Sequence, residues 1–400
     1  VLSRIIKLPF QISGKGKAAA VIHGPLDFSH LSYTLDAQGN NVDIAGENFN
    51  TLALKLNSKE GEVRTEKMEL TKGNSVISLK GGAHPNGQME AKIKGIGVRL
   101  EEIRLVEKIN SAITGLLDLE VEINGHVLSP EVEIKSQIHD VVIEEEQIRD
   151  SFANFTISQT KIEGEAKLFG NQLETKVIWP FDKNSEFKLW TKAQNWNYAT
   201  LIGLIGGGTI RDEYMASISG VVDLSSQTGG ISKANGVIKI GKFYLKRGLQ
   251  SLSNSKPIEV VFRDGQIDIL QWLLVGEETQ FKLEGKNFNL KNLDFTLNGQ
   301  AELTLLHLFA PFLEDLGGKA EISVAVKGDL LKPEILGSAR TKEAYIRVPG
   351  LPHPFEKVNS EISFSHTRAM INNAKAQFAG CTINLQGQFE LMGVSDMLTN

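Results

Sequence analysis

The amino-acid sequence predicts an all-β protein built on a long, curved, mainly antiparallel sheet. Three observations support this prediction: apolar and polar residues alternate along most of the chain, short turn sequences separate the alternating segments, and helical spacing occurs in only a few places. Because successive side chains of a strand point to opposite faces, each predicted strand has one apolar and one polar face.

The alternation is clearest in four segments of the chain. Acidic residues separate the apolar positions from Leu117 to Ile123, and polar residues separate those from Cys381 to Leu391. Because period-2 spacing places these apolar residues on one face, we expect them to line a common surface. The residues predicted to line it are Leu117, Leu119, Val121, Ile123, Phe281, Leu283, Ile322, Val324, Val326, Ile383, Leu385 and Phe389.

Turn sequences indicate that neighbouring strands run antiparallel. Asparagine and aspartate followed by glycine tolerate the positive φ angles of tight hairpins. Four such pairs are predicted to form hairpin turns: Asn86-Gly87, Asn124-Gly125, Asp264-Gly265 and Asn298-Gly299.

Helices are predicted to be few and short. Apolar residues at gaps of two to four form a helical stripe over 98–113, and a weaker stripe over 303–316 is ended or bent near Pro311. A third short stretch, 198–205, ends at Gly206.

The chain also contains an internal repeat. The sequence from Gly115 to Pro130 matches that from Gly318 to Pro333 at an offset of 203 residues, and a weaker copy begins at Gly220. The repeating unit is therefore close to a hundred residues. We expect one continuous elongated structure over 1–400, with repeat-like segments 1–97, 98–200, 201–302 and 303–400.

Composition argues against several classes of function. The 43 basic and 48 acidic residues give a net charge of −5, so no positive field favours nucleic acid. No apolar stretch reaches the roughly 20 residues that cross a bilayer. The opening VLSRIIKLPF lacks a secretory signal, and we expect the sequence to be cut from a longer protein.

The sequence predicts neither a catalytic site nor a metal site. The eight histidines show no ligand spacing, and the single Cys381 fits a small apolar position. The Gly206-Gly207-Gly208 loop lacks the lysine of a phosphate-binding loop. Asp264 and Asp268 fit a hairpin better than a pair of catalytic carboxylates. We therefore expect no catalytic residues, no cofactor and no enzymatic activity.

Many strands with one apolar face each raise a geometric problem, because every apolar face needs cover and the few short helices cannot supply it. If about half of the residues form strands of about eight, the chain contains roughly 25 strands, and sheets of more than about ten strands tend to curl or split. Curling would bring the apolar faces toward one another as an open, taco-like groove. Such a groove, lined by apolar side chains, is expected to bind an apolar ligand.

Several motifs resemble the repeats of the TamB family of translocation and assembly module proteins, within the AsmA-like group of bridge-type lipid transfer proteins. They are the glycine-bounded alternating segment followed by Pro-Glu-Val or Pro-Glu-Ile, the Tyr345 to Gly350 stretch, Ile362 to Phe364 and Ile383 to Gly387. The resemblance covers most of 98–400.

The resemblance implies a curved β-groove in the periplasm of a diderm bacterium that carries phospholipids between the inner and outer membranes. The implied partners are phospholipid acyl chains, an outer-membrane barrel of the TamA type and an inner-membrane anchor outside this sequence.

Two other functions remain open from the sequence. A structural or adhesive β-solenoid would bury its aliphatic residues and repeat every 20 to 25 residues, whereas this period is near a hundred. A chaperone-like scaffold for outer-membrane protein assembly would offer strands for edge pairing and share the same fold.

Overall fold

The computed structural model describes residues 12–24, 32–44, 46–107, 113–143, 146–182, 184–199, 214–228, 230–308, 315–348, 350–366 and 368–390. These residues fall into two compact units, the first ending at Asp182 and the second containing 184–199 and the described residues from 214 onward. Each unit is built almost entirely from β-strands.

The first unit is a meander in which each strand pairs with the next. All of its recorded pairings are antiparallel, and β8 pairs with both β9 and β10 because a bend at Arg149 and Asp150 interrupts the returning strand. Its strands are β1 (Ile12–His23), β2 (Ser32–Ile44), β3 (Glu47–Lys59), β4 (Glu62–Lys72), β5 (Ser75–Ala83), β6 (Gln88–Arg99), β7 (Ile113–His126), β8 (Ser129–Ile143), β9 (Glu146–Ile148), β10 (Ser151–Ile157), β11 (Lys161–Leu168) and β12 (Leu173–Pro180).

The second unit repeats this antiparallel meander. Breaks at Pro257 and Trp272 divide two long strands into shorter pieces. The strands are β13 (Phe187–Asn197), β14 (Tyr214–Ser226), β15 (Asn235–Arg247), β16 (Gln250–Asn254), β17 (Ile258–Arg263), β18 (Gln266–Gln271), β19 (Leu273–Gly276), β20 (Thr279–Phe288), β21 (Leu293–Glu302), β22 (Asp315–Asp329), β23 (Lys332–Arg347), β24 (Phe355–His366), β25 (Arg368–Phe378) and β26 (Cys381–Glu390).

The all-β, antiparallel fold class predicted from the sequence is thus confirmed. Among the described residues, the helical segments are short: 3-10 turns at Leu100–Glu102, Gly230–Lys233 and Leu303–Leu308, and an α-helical turn at Arg104–Glu107. The rest of the fold prediction, an open groove that is continuous along the chain, stays a prediction.

The predicted helix over 98–113 is wrong at both ends. Val98 belongs to β6 and Ile113 begins β7, with Val98 paired to Leu117 in the sheet. The apolar stripe arises because the short helical turns after β6 and the start of β7 contribute to one apolar cluster, through Leu100, Ile103, Val106 and Ile113. Leu316 likewise belongs to β22, and most of the predicted 198–205 helix lies outside the described residues.

Two of the four predicted hairpin turns are confirmed. Asn86-Gly87 lies in the turn between β5 and β6, and Asp264-Gly265 joins β17 to β18, with positive φ at both Asp264 and Gly265. Asn124-Gly125 and Asn298-Gly299 instead lie inside β7 and β21, so those two predictions are wrong.

Inside its strand, position 299 requires glycine because the ring of Phe281 and the neighbouring backbone occupy the space that a side chain would need. A Cβ atom at Gly299 would lie 2.4 Å from the carbonyl oxygen of Gln280 and 2.5 Å from Cδ1 of Phe281. The same glycine-to-aromatic pairing across neighbouring strands recurs in both units. The pairs are Phe155 with Gly164, Gly236 with Phe262, Phe281 with Gly299, Gly285 with Phe295, and Gly337 with Phe364.

The repeat at an offset of 203 residues has a structural counterpart. The β7–β8 and β22–β23 pairs carry the same bulge, in which β8 has one extra residue opposite Gly115 and β23 has one opposite Gly318. Opposite these glycines, Asp140 has a φ of 52° and Glu343 a φ of 50°. The bulge therefore bends both pairs at the same place and strengthens their twist.

We predict that Gly299→Val destabilises the fold because the new side chain overlaps Phe281 and the neighbouring backbone. Overpacking of this kind costs about 1–3 kcal/mol. Gly387→Val is the matched control, since Gly387 lies in β26 with open space where its Cβ would be. Thermal unfolding followed by circular dichroism should show a lower Tm for Gly299→Val only. Equal Tm values for the two variants would contradict the prediction.

Candidate functional site

Cross-strand register in the second unit places the predicted apolar residues on one face of its sheet. Each row crosses neighbouring strands through apolar or glycine positions. One row contains Phe281, Gly299, Ile322, Ala339 and Ile362. The next contains Leu283, Leu297, Val324, Gly337 and Phe364. A third contains Phe295, Val326 and Ile335.

The last two strands extend this face. Ile383 of β26 pairs with Ala376 of β25, and Leu385 pairs with Ala374. Both alanines are buried, with 2% and 5% of their surface exposed. The backbone of Phe389 pairs with Ala369, whereas its side chain lies outside the described residues.

The first unit has an equivalent face centred on β7. All four residues predicted on this strand lie opposite apolar or small residues of both neighbouring strands. The rows are Val98, Leu117 and Ile138; Gly95, Leu119 and Ser136; Ile93, Val121 and Ile134; and Ala91, Ile123 and Val132. The structure therefore brings the predicted residues together as two apolar faces, one in each unit.

These apolar side chains are incompletely covered. Most of the predicted residues are half-buried, and only Val324 is buried, with 7% of its surface exposed. Leu385 is 45% exposed. A closed core would bury such residues almost completely. The faces therefore retain apolar surface in contact with solvent.

Within the described residues of each unit, the main contacts of every strand are with its neighbours in the meander and with the short helical segments. Full burial occurs beside those segments, where Leu100, Val141 and Ile143 form one cluster and Leu303 joins Leu316 in another. It also occurs within the sheet of the second unit, where Leu283, Phe295 and Val326 pack against a buried cluster of Val260, Ile267, Ile269, Phe288 and Leu293. The helical segments cover parts of the faces near strand ends.

The opposite face is polar and solvated. Lys92 bridges Glu120 and Glu122 across β6 and β7, and the hydrogen bonds to Glu120 and then Glu122 raise the pKa of Lys92 to about 12. In the second unit, Arg340 donates to Glu361 at 2.8 Å. Exposed ion pairs of this kind contribute little to stability. This face therefore stays hydrated. The apolar face, which keeps apolar side chains in contact with solvent, is the candidate binding surface.

One short segment of the first unit crosses the ends of several strands. This strap, residues 100–107, leaves β6 and reaches back to the start of β3. Arg104 donates through Nη1 to the carbonyl oxygen of Gly46 at 2.5 Å and through its backbone N–H to Glu47 at 3.2 Å. The hydroxyl of Ser75 on β5 donates to Glu102 at 2.8 Å. Polar contacts thus hold the strap at its outer side.

A pocket of about 200 Å³ lies between the strap and the apolar face. Its lining atoms are almost all apolar. It is lined by Glu47, Phe49, Leu70, Lys72, Ser75, Ile77, Gly95, Val98, Glu102, Ile103, Leu117 and Leu119. Of these residues, the sequence predicted only Leu117 and Leu119.

The sequence did contain a signal for the rest of this pocket. Gly95 interrupts the alternating apolar positions of β6, and Val98 with Ile103 belongs to the stripe that predicted a helix. The apolar character of these residues was therefore visible. Their position around one pocket was not, because the strap reaches back to Glu47 at the start of β3, 57 residues away in sequence.

No catalytic or metal-binding constellation emerges from the part of the chain that the structure describes. There, no group of three or more His, Cys, Asp or Glu residues could hold a metal ion. Asp268 pairs with Arg263 and accepts the backbone N–H of Asn287 at 2.8 Å. Asp264 occupies its turn, so the two aspartates have structural contacts of their own.

Comparisons with family models, curated proteins and solved structures found no match to this chain. Among the described helices, none combines the length and the apolar character needed to cross a membrane.

We predict that Glu47→Ala loosens the strap, because it removes the carboxylate that accepts from Arg104 and pairs with Lys72. Losing these contacts should lower the free energy of local opening of the strap by about 1 kcal/mol. Amide hydrogens of residues 100–104 should then exchange about fivefold faster. Glu62→Ala is the control, since Glu62 pairs with Arg64 away from the strap. Hydrogen exchange with mass spectrometry measures both. Unchanged protection in Glu47→Ala would contradict the anchoring role.

Proposed function

We propose that this chain is a non-enzymatic conduit segment that shields the acyl chains of phospholipids on its apolar faces. The observation that carries the proposal is the set of aligned apolar rows, which cross strand after strand and stay half-buried. A protein that needed these residues only for its own core would cover them.

The energetic argument concerns the lipid tail. Exposing an acyl chain to water costs about 0.8 kcal/mol per methylene, so a sixteen-carbon tail costs on the order of 12 kcal/mol. A continuous apolar surface removes much of this barrier. Movement through water between membranes then becomes feasible for a phospholipid.

The repeated character of the rows also suits transport. A conduit must release its cargo, so many similar weak contacts serve better than one tight site. In the second unit the rows contain aliphatic, aromatic and glycine positions, with charged residues on the opposite face. A lipid tail can therefore move between equivalent positions without losing a specific polar contact.

The cellular setting is part of the same proposal and rests on the resemblance to TamB-family repeats. We place the chain in the periplasm of a diderm bacterium, between an inner-membrane anchor and an outer-membrane barrel of the TamA type. Phospholipids moving between the two membranes would be its cargo.

The alternatives differ in what contacts the apolar faces. A solenoid stacks its coils to bury them, and parallel stacking is typical of that class, so the antiparallel meander favours a conduit. A chaperone-like scaffold for outer-membrane proteins would use the same fold with polypeptide as its cargo.

We predict that Ile322→Asp reduces phospholipid transfer at least tenfold, because a carboxylate on the apolar face must be desolvated as a tail passes. Ser323→Asp is the matched control, since this neighbouring residue is exposed on the polar face. Transfer between donor and acceptor liposomes measures the rate, and lipid extraction measures co-purified phospholipid. Equal activity of the two variants would remove Ile322 from the lipid path.

We also predict that a photoreactive amino acid at Ile322 crosslinks to phospholipid, whereas one at Ser323 does not. Crosslinking in living cells followed by mass spectrometry identifies the adduct. Adducts with unfolded outer-membrane proteins at Ile322, in place of lipid, would favour the chaperone-like scaffold.

A further inference from the structure

The pocket under the strap lies where an apolar row crosses Gly95, with Val98 packed so close that a Cβ on Gly95 would be 2.9 Å from its Cγ2 atom. Gly95 pairs with Ile77 on one side and Leu119 on the other, and all three residues line the pocket. The strap covers this row with Ile103. The pocket therefore lies between the apolar row of the sheet and a cover supplied by another part of the chain.

The chemistry of the lining selects an apolar occupant. An engineered cavity of about 150 Å³ lined by Leu, Ile and Phe stays dry and binds benzene. The pocket here is of about 200 Å³ with a similar lining of Phe49, Leu70 and Ile77. It has room for about six to eight carbon atoms on the same scale.

The charged residues at the pocket are already engaged with one another. Lys72 pairs with Glu47, which also accepts the backbone N–H of Arg104, and Glu102 accepts the hydroxyl of Ser75. Because these polar groups contact one another at the rim, they are not the groups that would bind a ligand. The pocket therefore suits the neutral hydrocarbon part of a ligand.

Comparison with the equivalent segment of the second unit shows that the pocket is a local feature. At the offset of 203 residues, Leu100 corresponds to Leu303, and both are buried. Glu102 corresponds to Leu305, which is 4% exposed. Where the second unit buries a leucine, the first unit has a carboxylate held at the rim by Ser75.

We propose that the strap-covered pocket is a defined binding site for the methyl end of a single alkyl chain. The site deepens the proposed function and rests on it for the biological source of the chain, a phospholipid tail. It differs from the open apolar rows in being covered by the strap and in holding one chain end. Its affinity is therefore higher than that of the rows.

The test is a titration followed by methyl NMR. The full chain, labelled at Ile, Leu and Val methyl groups, receives sodium dodecanoate below its micelle-forming concentration. The methyl signals of Ile77, Ile103 and Leu119 are expected to shift first and to saturate at one dodecanoate per chain. Signals of Ile322 and Val326 should shift only at concentrations at least tenfold higher.

Matched variants locate the site. Ile103→Phe fills the pocket from the strap, and Ile77→Phe fills it from the sheet. Ile123→Phe is the control, because Ile123 lies on the apolar face of β7 outside the pocket lining. The two pocket variants should weaken the first binding event at least tenfold, and the control should leave it within twofold. Should either pocket variant fail to fold, the other variant and the unmodified titration decide.

The outcomes separate this inference from the proposed function. Pocket signals that stay unchanged, or that move only together with those of Ile322, overturn the inference even if the chain transfers phospholipid. Saturable pocket binding in a protein that fails the liposome transfer assay supports the inference and rejects the conduit function. Loss of the first binding event in Ile123→Phe would also overturn the site.

Discussion

Everything in this structure depends on the cross-strand register that keeps apolar side chains on one face. A slip of one residue would move every apolar side chain of a strand to the polar face. The bulges opposite Gly115 and Gly318 insert one extra residue into β8 and one into β23 at matched positions of the repeat, and the rows continue on either side of each bulge. Register and bulges together produce the two apolar faces from which the proposed function follows.

Glycine has two separate roles on these faces. Opposite aromatic rings, as at Gly299 beside Phe281, it makes room for a ring that lies across it, which keeps the face smooth and apolar. At Gly95 it makes room for an aliphatic side chain, since a Cβ there would lie 2.9 Å from Cγ2 of Val98. The same residue type thus admits an aromatic ring at one position and an aliphatic side chain beside the pocket at another.

The short helical segments limit how much of each face remains available. They bury clusters near the strand ends, such as Leu303 with Leu316, and leave the middle rows half-buried. Covering an entire face would add stability by burying more apolar area, at about 25 cal/mol per Å². A conduit for lipid tails must forgo that gain along its path, because the tails themselves supply the covering.

The sequence by itself determined the strands and the residues of their apolar faces, because period-2 alternation is a local property of an extended chain. Residues such as Leu117 and Ile322 could be assigned to an apolar surface without any structure. The roles of Asn124-Gly125 and Asn298-Gly299 could not, since only the facing strand decides whether a glycine turns the chain or makes room for a neighbour. The strap and its pocket were equally hidden. They depend on contacts between Arg104 and Glu47 that tertiary folding alone brings together, across 57 positions of sequence.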